Sequence, residues 1–121
     1  MKIVILLVED EPIIRMGVAD HLESIGYKVV EAGNGGQAIR ILSERRDVHV
    51  LVTDIHMPGE INGIDLALWT RDNLPSTKIM VMSGAQSDAP RLRPLGDEGY
   101  IYSKPISNAS LTKRIRELVE K

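Results

Sequence analysis

The sequence predicts an α/β domain built on a parallel sheet, and three observations predict it. Apolar runs recur near residues 5, 30, 51, 80 and 101, with helically periodic segments between them. Strands alternating with helical patterns imply βαβ units. The runs over 3–8 and 48–53 are nearly continuous rather than alternating, the pattern of strands covered on both faces. Four of the runs end in polar residues: Glu9-Asp10, Asp54, Ser83 and Lys104.

The first strand is Ile3 to Val8. A helix follows from Pro12, a residue preorganised for a first helical turn, with Ile13, Ile14, Val18, Leu22 and Ile25 as its inward stripe and Gly26 as its stop. Lys28 to Ala32 reads as an edge strand whose charged residues blunt the edge. The second helix runs from Gly36 to about Arg45, with Ala38, Ile39 and Leu42 inward. The third strand covers 48–53. Asn62 then caps a helix carrying Ile64, Leu66, Ala67 and Leu68. Lys78 to Met82 is the fourth strand. The segment from Gln86 to Leu95 holds Pro90 and Pro94, so a short or broken fourth helix is expected there, because an interior proline costs a helix about 3 kcal/mol. A fifth strand spans Gly99 to Ser103. The last helix starts near Ser107, with Leu111, Ile115, Leu118 and Val119 as its stripe.

At 121 residues, this is the length of one domain, 1–121. With no cysteine there is no disulfide framework or zinc-thiolate site. A net charge of −2 argues against nucleic acid as the main partner. The longest apolar run is too short to cross a bilayer and lacks signal-peptide flanks, so no membrane role is expected and the default compartment is the cytoplasm. Met1-Lys2 directly before the first strand favours an N-terminal or single domain.

Ligands of open parallel sheets bind beyond the carboxyl ends of the strands. The run ends therefore bring three carboxylates (Glu9, Asp10, Asp54), one hydroxyl (Ser83) and one ammonium (Lys104) to one crevice. That set suits a divalent cation together with a phosphoryl group. Magnesium prefers hard oxygen ligands, as these carboxylates are; manganese is the second candidate. A carboxylate can act as nucleophile in phosphoryl transfer once both charges are screened.

Val8-Glu9-Asp10-Glu11, Asp54-Ile55-His56-Met57-Pro58-Gly59, Ser83-Gly84-Ala85 and Lys104-Pro105, in this order and each after a strand, resemble the receiver domains of two-component response regulators, of the chemotaxis type. The resemblance spans essentially the whole chain. It implies a doubly wound, flavodoxin-like fold with five parallel strands in the order 2-1-3-4-5 and helices on both faces. It implies that Asp54 is the phosphoacceptor, served by a histidine kinase or a histidine phosphotransfer protein. Asp10, Asp54 and the backbone carbonyl of His56 would ligate the metal, with Glu9 acting through water or orienting Asp10. Lys104 would pair with Asp54 at rest and with a phosphoryl oxygen after transfer, aimed by a cis bond at Pro105. Ser83 would bond the phosphoryl group and draw in the loop carrying Gly84 and Ala85. The switch region would continue through Ile101 and Tyr102. Such a module is not an enzyme acting on other molecules; it transfers a phosphoryl group to itself and loses it again. Its output partner is left unnamed by the sequence.

Two departures stand out. Receiver domains usually carry an aromatic ring three residues before the lysine, and here that position is Ile101, flanked by Tyr100 and Tyr102. The loop through Glu60-Ile61-Asn62-Gly63 is one residue longer than usual. Alternative readings are a pseudo-receiver that only docks, and an aspartyl-phosphate phosphatase, which would want an aspartate where His56 stands. His21 and His49 read as structural.

Overall fold

Parallel strands, placed side by side in the sequence order second, first, third, fourth, fifth, form one sheet. The computed structural model describes residues 2–83, 90, 93 and 106–120, and the backbone of 101–103. Numbered along these residues, the elements are β1 (Val4–Val8), α1 (Pro12–Ser24), β2 (Lys28–Ala32), α2 (Gly35–Glu44), β3 (Val50–Asp54), α3 (Gly63–Asn73), β4 (Lys78–Ser83), β5 (Ile101–Ser103) and α4 (Asn108–Val119). The expected strand order and the edge position of Lys28–Ala32 are both borne out. The short fourth helix expected within 86–95 lies outside the described residues, apart from Pro90 and Arg93.

The sheet sorts its apolar residues by the two-residue period of a strand. Val4, Leu6, Val8, Leu51, Ile79 and Val81 face Ala38 and Leu42 of α2 and Ile64, Leu66 and Ala67 of α3. Ile5, Leu7, Val50, Val52, Met80 and Met82 face Ala19 and Leu22 of α1 and Leu111, Ile115 and Leu118 of α4. Both faces are thus covered, which is why the strands read as continuous apolar runs.

The helix starts are set locally. Asn34 accepts from the Gln37 amide at 2.8 Å, and the Gln37 side chain accepts in turn from Gly33 at 2.7 Å. Asn62 and Asp65 form a reciprocal capping box at α3. Ser107 caps α4. His49 is structural, as expected: its Nδ1 accepts from the Val4 amide at 2.9 Å and ties β1 to the entry of β3. His21 shares a hydrogen bond with Thr112 at 2.9 Å between α1 and α4.

The inward stripe expected for α1 is corrected. Ile13 is 86% exposed, Ile14 45% and Ile25 38%; Ala19 and Leu22 are the buried residues. Residues 15, 18, 19 and 22 form one helical face toward the sheet, spaced by three and four as a helix requires. The outward face is apolar as well, so periodicity could not tell which side docks.

A surface pair beyond α2 has a measurable acid signature. Arg45 Nε and Nη2 each donate to the Asp47 carboxylate at 2.7 Å. These charged hydrogen bonds hold the Asp47 pKa down to about 2 and raise that of Arg45. An unfolded aspartate titrates near about 4. A carboxylate with a lowered folded pKa adds stability above the unfolded value, and that stability is lost as pH falls from about 4 toward 2. We predict an Asp47 carboxyl midpoint near about 2 in a carbon-detected NMR titration, moving to the ordinary value in Arg45→Met. An ordinary midpoint in the wild type would contradict it.

Candidate functional site

β1 lies between β2 and β3, and the register brings its carboxyl end level with that of β3. Val8 pairs with Thr53, so Glu9 sits beside Asp54 and Asp10 follows at the rim. Carboxylate oxygens of Glu9, Asp10 and Asp54 all lie within 4.8 Å of one another. Glu9 and Asp54 are buried, at 3% and 4% exposure, whereas Asp10 is open to solvent. Ligand atoms facing each other across an octahedral magnesium are about 4 Å apart, a span comparable with this cluster. The donors are all hard carboxylate oxygens, with neither sulfur nor imidazole among them. The set therefore fits a magnesium-like ion better than a soft metal.

The backbone of Asp54 is held firmly. The ladder continues one residue beyond the strand, where the Ile55 amide donates to Met82 at 3.2 Å. The Thr53 hydroxyl donates to the Asp54 carbonyl at 3.0 Å. The chain then turns through Gly59, at φ 97°, where glycine is at ease. It returns so that the Gly63 amide donates to the Ile55 carbonyl at 2.8 Å. Gly63 presses against the Asp54 peptide so closely that a Cβ there would overlap the Asp54 carbonyl. The Ile61 of the long loop is half-buried against Gly35, where a Cβ would come within 2.6 Å of Ile61 Cγ2. The loop is thereby seated on the start of α2.

Ser83 ends β4, buried at 5% exposure, next to the Met82 that pairs with Asp54. Its partner in β5 is Ser103. The structure thus brings Glu9, Asp10, Asp54 and Ser83 to the carboxyl end of the sheet. The His56 side chain is exposed and stands outside the carboxylate cluster. Gly84, Ala85, Lys104 and Pro105 lie outside the described residues, as do the side chains of Ile101 and Tyr102.

Sequence reasoning missed two supports of this site, Gly63 and Arg15. Gly63 follows its capping asparagine directly, and that pairing was the available signal. Arg15 Nη1 donates to the Glu9 carbonyl at 2.9 Å and its Nε to Glu31 at 3.2 Å. Its only signal was a basic residue one turn into the helix that follows the acidic pair.

Known proteins share both the sequence and this architecture. The family model for the response regulator receiver domain matches residues 5–116. The sensor kinase CckA of Brucella abortus is 37% identical over 119 residues, covering 97% of this chain and 12% of that protein. The aerobic respiration control protein ArcA of Escherichia coli is 34% identical over 119 residues, covering 97% of this chain and 48% of that protein. The chain therefore spans half or less of these two relatives. The response regulator TrrA of Thermotoga maritima, solved in complex with Mg(2+)-BeF, superimposes with a TM-score of 0.84 at 28% identity, covering 98% of this chain and 99% of that one. With its flavodoxin-like sheet, its acidic crevice and a family match over nearly all its length, the chain belongs to the response regulator receiver domain family of two-component systems.

Proposed function

We propose that this chain accepts a phosphoryl group on Asp54 from a phosphohistidine of a kinase or phosphotransfer protein. The cluster of Glu9, Asp10 and Asp54 at the carboxyl ends of β1 and β3 carries the reading. An Asp54 carboxylate oxygen forms the new P–O bond while the P–N bond to the donor imidazole breaks; the electron pair leaves with the imidazole nitrogen, which takes up a proton. Three nearby carboxylates would repel both the phosphoryl group and one another. Asp10, Asp54 and the His56 carbonyl would hold a magnesium ion, with Glu9 behind Asp10, and the ion would supply the charge that offsets this repulsion; manganese could take its place. Ser83 donates to the transferred group, and Lys104 provides the second positive charge. The chain then hydrolyses its own acyl phosphate and acts on no other substrate. That TrrA was solved with magnesium and a beryllium fluoride supports this reading.

The partner would dock on this chain beside the crevice. Ile13, Ile14 and Met16, at 86%, 45% and 57% exposure, project from the first turns of α1, directly after the acidic pair. Three large apolar side chains exposed within one helical turn are candidates for such a contact. No helix among the described residues is long and apolar enough to cross a membrane.

Two measurements test the reading. Incubation with a small acyl phosphate and magnesium should add one phosphoryl group, seen by intact-mass spectrometry. Magnesium alone should raise the melting temperature by mass action: at about ten times its Kd the gain is about 1.4 kcal/mol, or roughly 4–6 °C for a domain of this size. No shift under saturating magnesium would show that the acidic cluster is not a site.

A further inference from the structure

We propose that Arg15 is a positioning residue for the acidic site: its guanidinium spans two elements, holds the Glu9 peptide, and sets the direction from which Asp10 meets Asp54. The inference rests on the proposed metal role of the cluster.

The observation is a fork with separate anchors. Nη1 donates to the Glu9 carbonyl at 2.9 Å, and Nε to Glu31 near the end of β2 at 3.2 Å. The Glu9 amide donates in turn to the Ala32 carbonyl at 3.1 Å. Both sides of the Glu9 backbone are therefore tied toward β2, and the peptide joining Glu9 to Asp10 keeps one orientation. Gly33 leaves room for this fork, since a Cβ there would come within 3.3 Å of Arg15 Nη1. The side chain is mostly covered, at 21% exposure.

The Glu31 arm of the fork contributes little stability. The ion pair with Glu31 is partly exposed, at 39% on the glutamate side, and such pairs contribute about 0–1 kcal/mol. The bond to the Glu9 carbonyl acts instead on a residue whose own carboxylate belongs to the cluster. A guanidinium remains charged at any physiological pH and holds two acceptors in a rigid plane. It thus adds a fixed positive charge one peptide away from Asp10 without occupying the crevice. Groups that orient metal ligands from behind typically affect metal affinity by about 10- to 100-fold.

The test compares magnesium affinity by calorimetry with unfolding midpoints in chelator, for the full chain and for Arg15→Met, Arg15→Lys and Arg45→Met. We expect about tenfold weaker magnesium binding in both Arg15 variants, with chelator midpoints close to wild type. Lysine keeps the charge but cannot span both acceptors, so Arg15→Lys should not restore affinity. Should Arg15→Met fold poorly, Arg15→Lys still supplies the measurement. Arg45→Met removes the same charge from the far end of α2 and should leave affinity within about twofold. Wild-type affinity in Arg15→Met, full restoration by Arg15→Lys, or an equal loss in Arg45→Met would each overturn the proposal. A wild type that binds no magnesium would remove the metal reading itself, a result distinct from all of these.

Discussion

Asp54→Asn is expected to abolish phosphoryl uptake and, in the same protein, to raise stability when magnesium is removed. The first effect follows because an amide is no nucleophile toward phosphorus under these conditions. The second follows from crowding. Glu9, Asp10 and Asp54 place carboxylate oxygens within 4.8 Å of each other, and Glu9 and Asp54 are buried. Two like charges about 5 Å apart repel by about 3 kcal/mol at an effective dielectric constant near 20. Solvent at the exposed Asp10 and neighbouring positive groups reduce this, so a net gain on the order of 1 kcal/mol is expected. Urea midpoints in chelator should rise for Asp54→Asn, and the advantage should shrink as magnesium is added. A lower midpoint in chelator would show that the carboxylate is a net contributor to the fold, and uptake of phosphate by the variant would place the acceptor elsewhere.

Gly63→Ala should cause a larger loss of stability than a surface substitution and should disable the site as well. The reason is space, since Gly63 is not among the glycines with positive φ. Its Cα faces the Asp54 carbonyl and the Ile55 backbone, so an added methyl meets main chain that has no rotamer to escape into. Overpacking of this kind typically costs 1–3 kcal/mol, and about 3 is expected where backbone must shift. The displaced backbone is that of Asp54 itself, so phosphoryl uptake by the folded fraction should fall in parallel. Chemical denaturation with the acyl-phosphate assay at matched folded concentration checks both effects; a variant equal to wild type in each would show that the loop moves aside without affecting Asp54.

Much of this was legible along the chain because the relevant periods are local. The continuous apolar runs of β1 and β3 announced strands covered twice, and their buried residues divide between the two faces as the strand period requires. Asn62 was readable as a cap because capping depends on a residue and its next turn. The α1 stripe was misread for an equally physical reason. Ile13, Ile14 and Met16 are apolar yet exposed, and a helix with apolar residues on two sides gives no sign of which side meets the sheet.

The order of residues by itself determined the fold class, the strand and helix sequence, and the polar groups that each strand delivers to its carboxyl end. Only the tertiary structure decided that Glu9 stands level with Asp54, that Gly63 closes on the acceptor's peptide, and that Arg15 grips the acidic loop from behind. Strand and helix patterns are written in residue type and period, whereas these contacts depend on strand register, helix docking and a few tenths of an ångström of space, even where, as for Arg15 and Glu9, the partners are near neighbours in the chain.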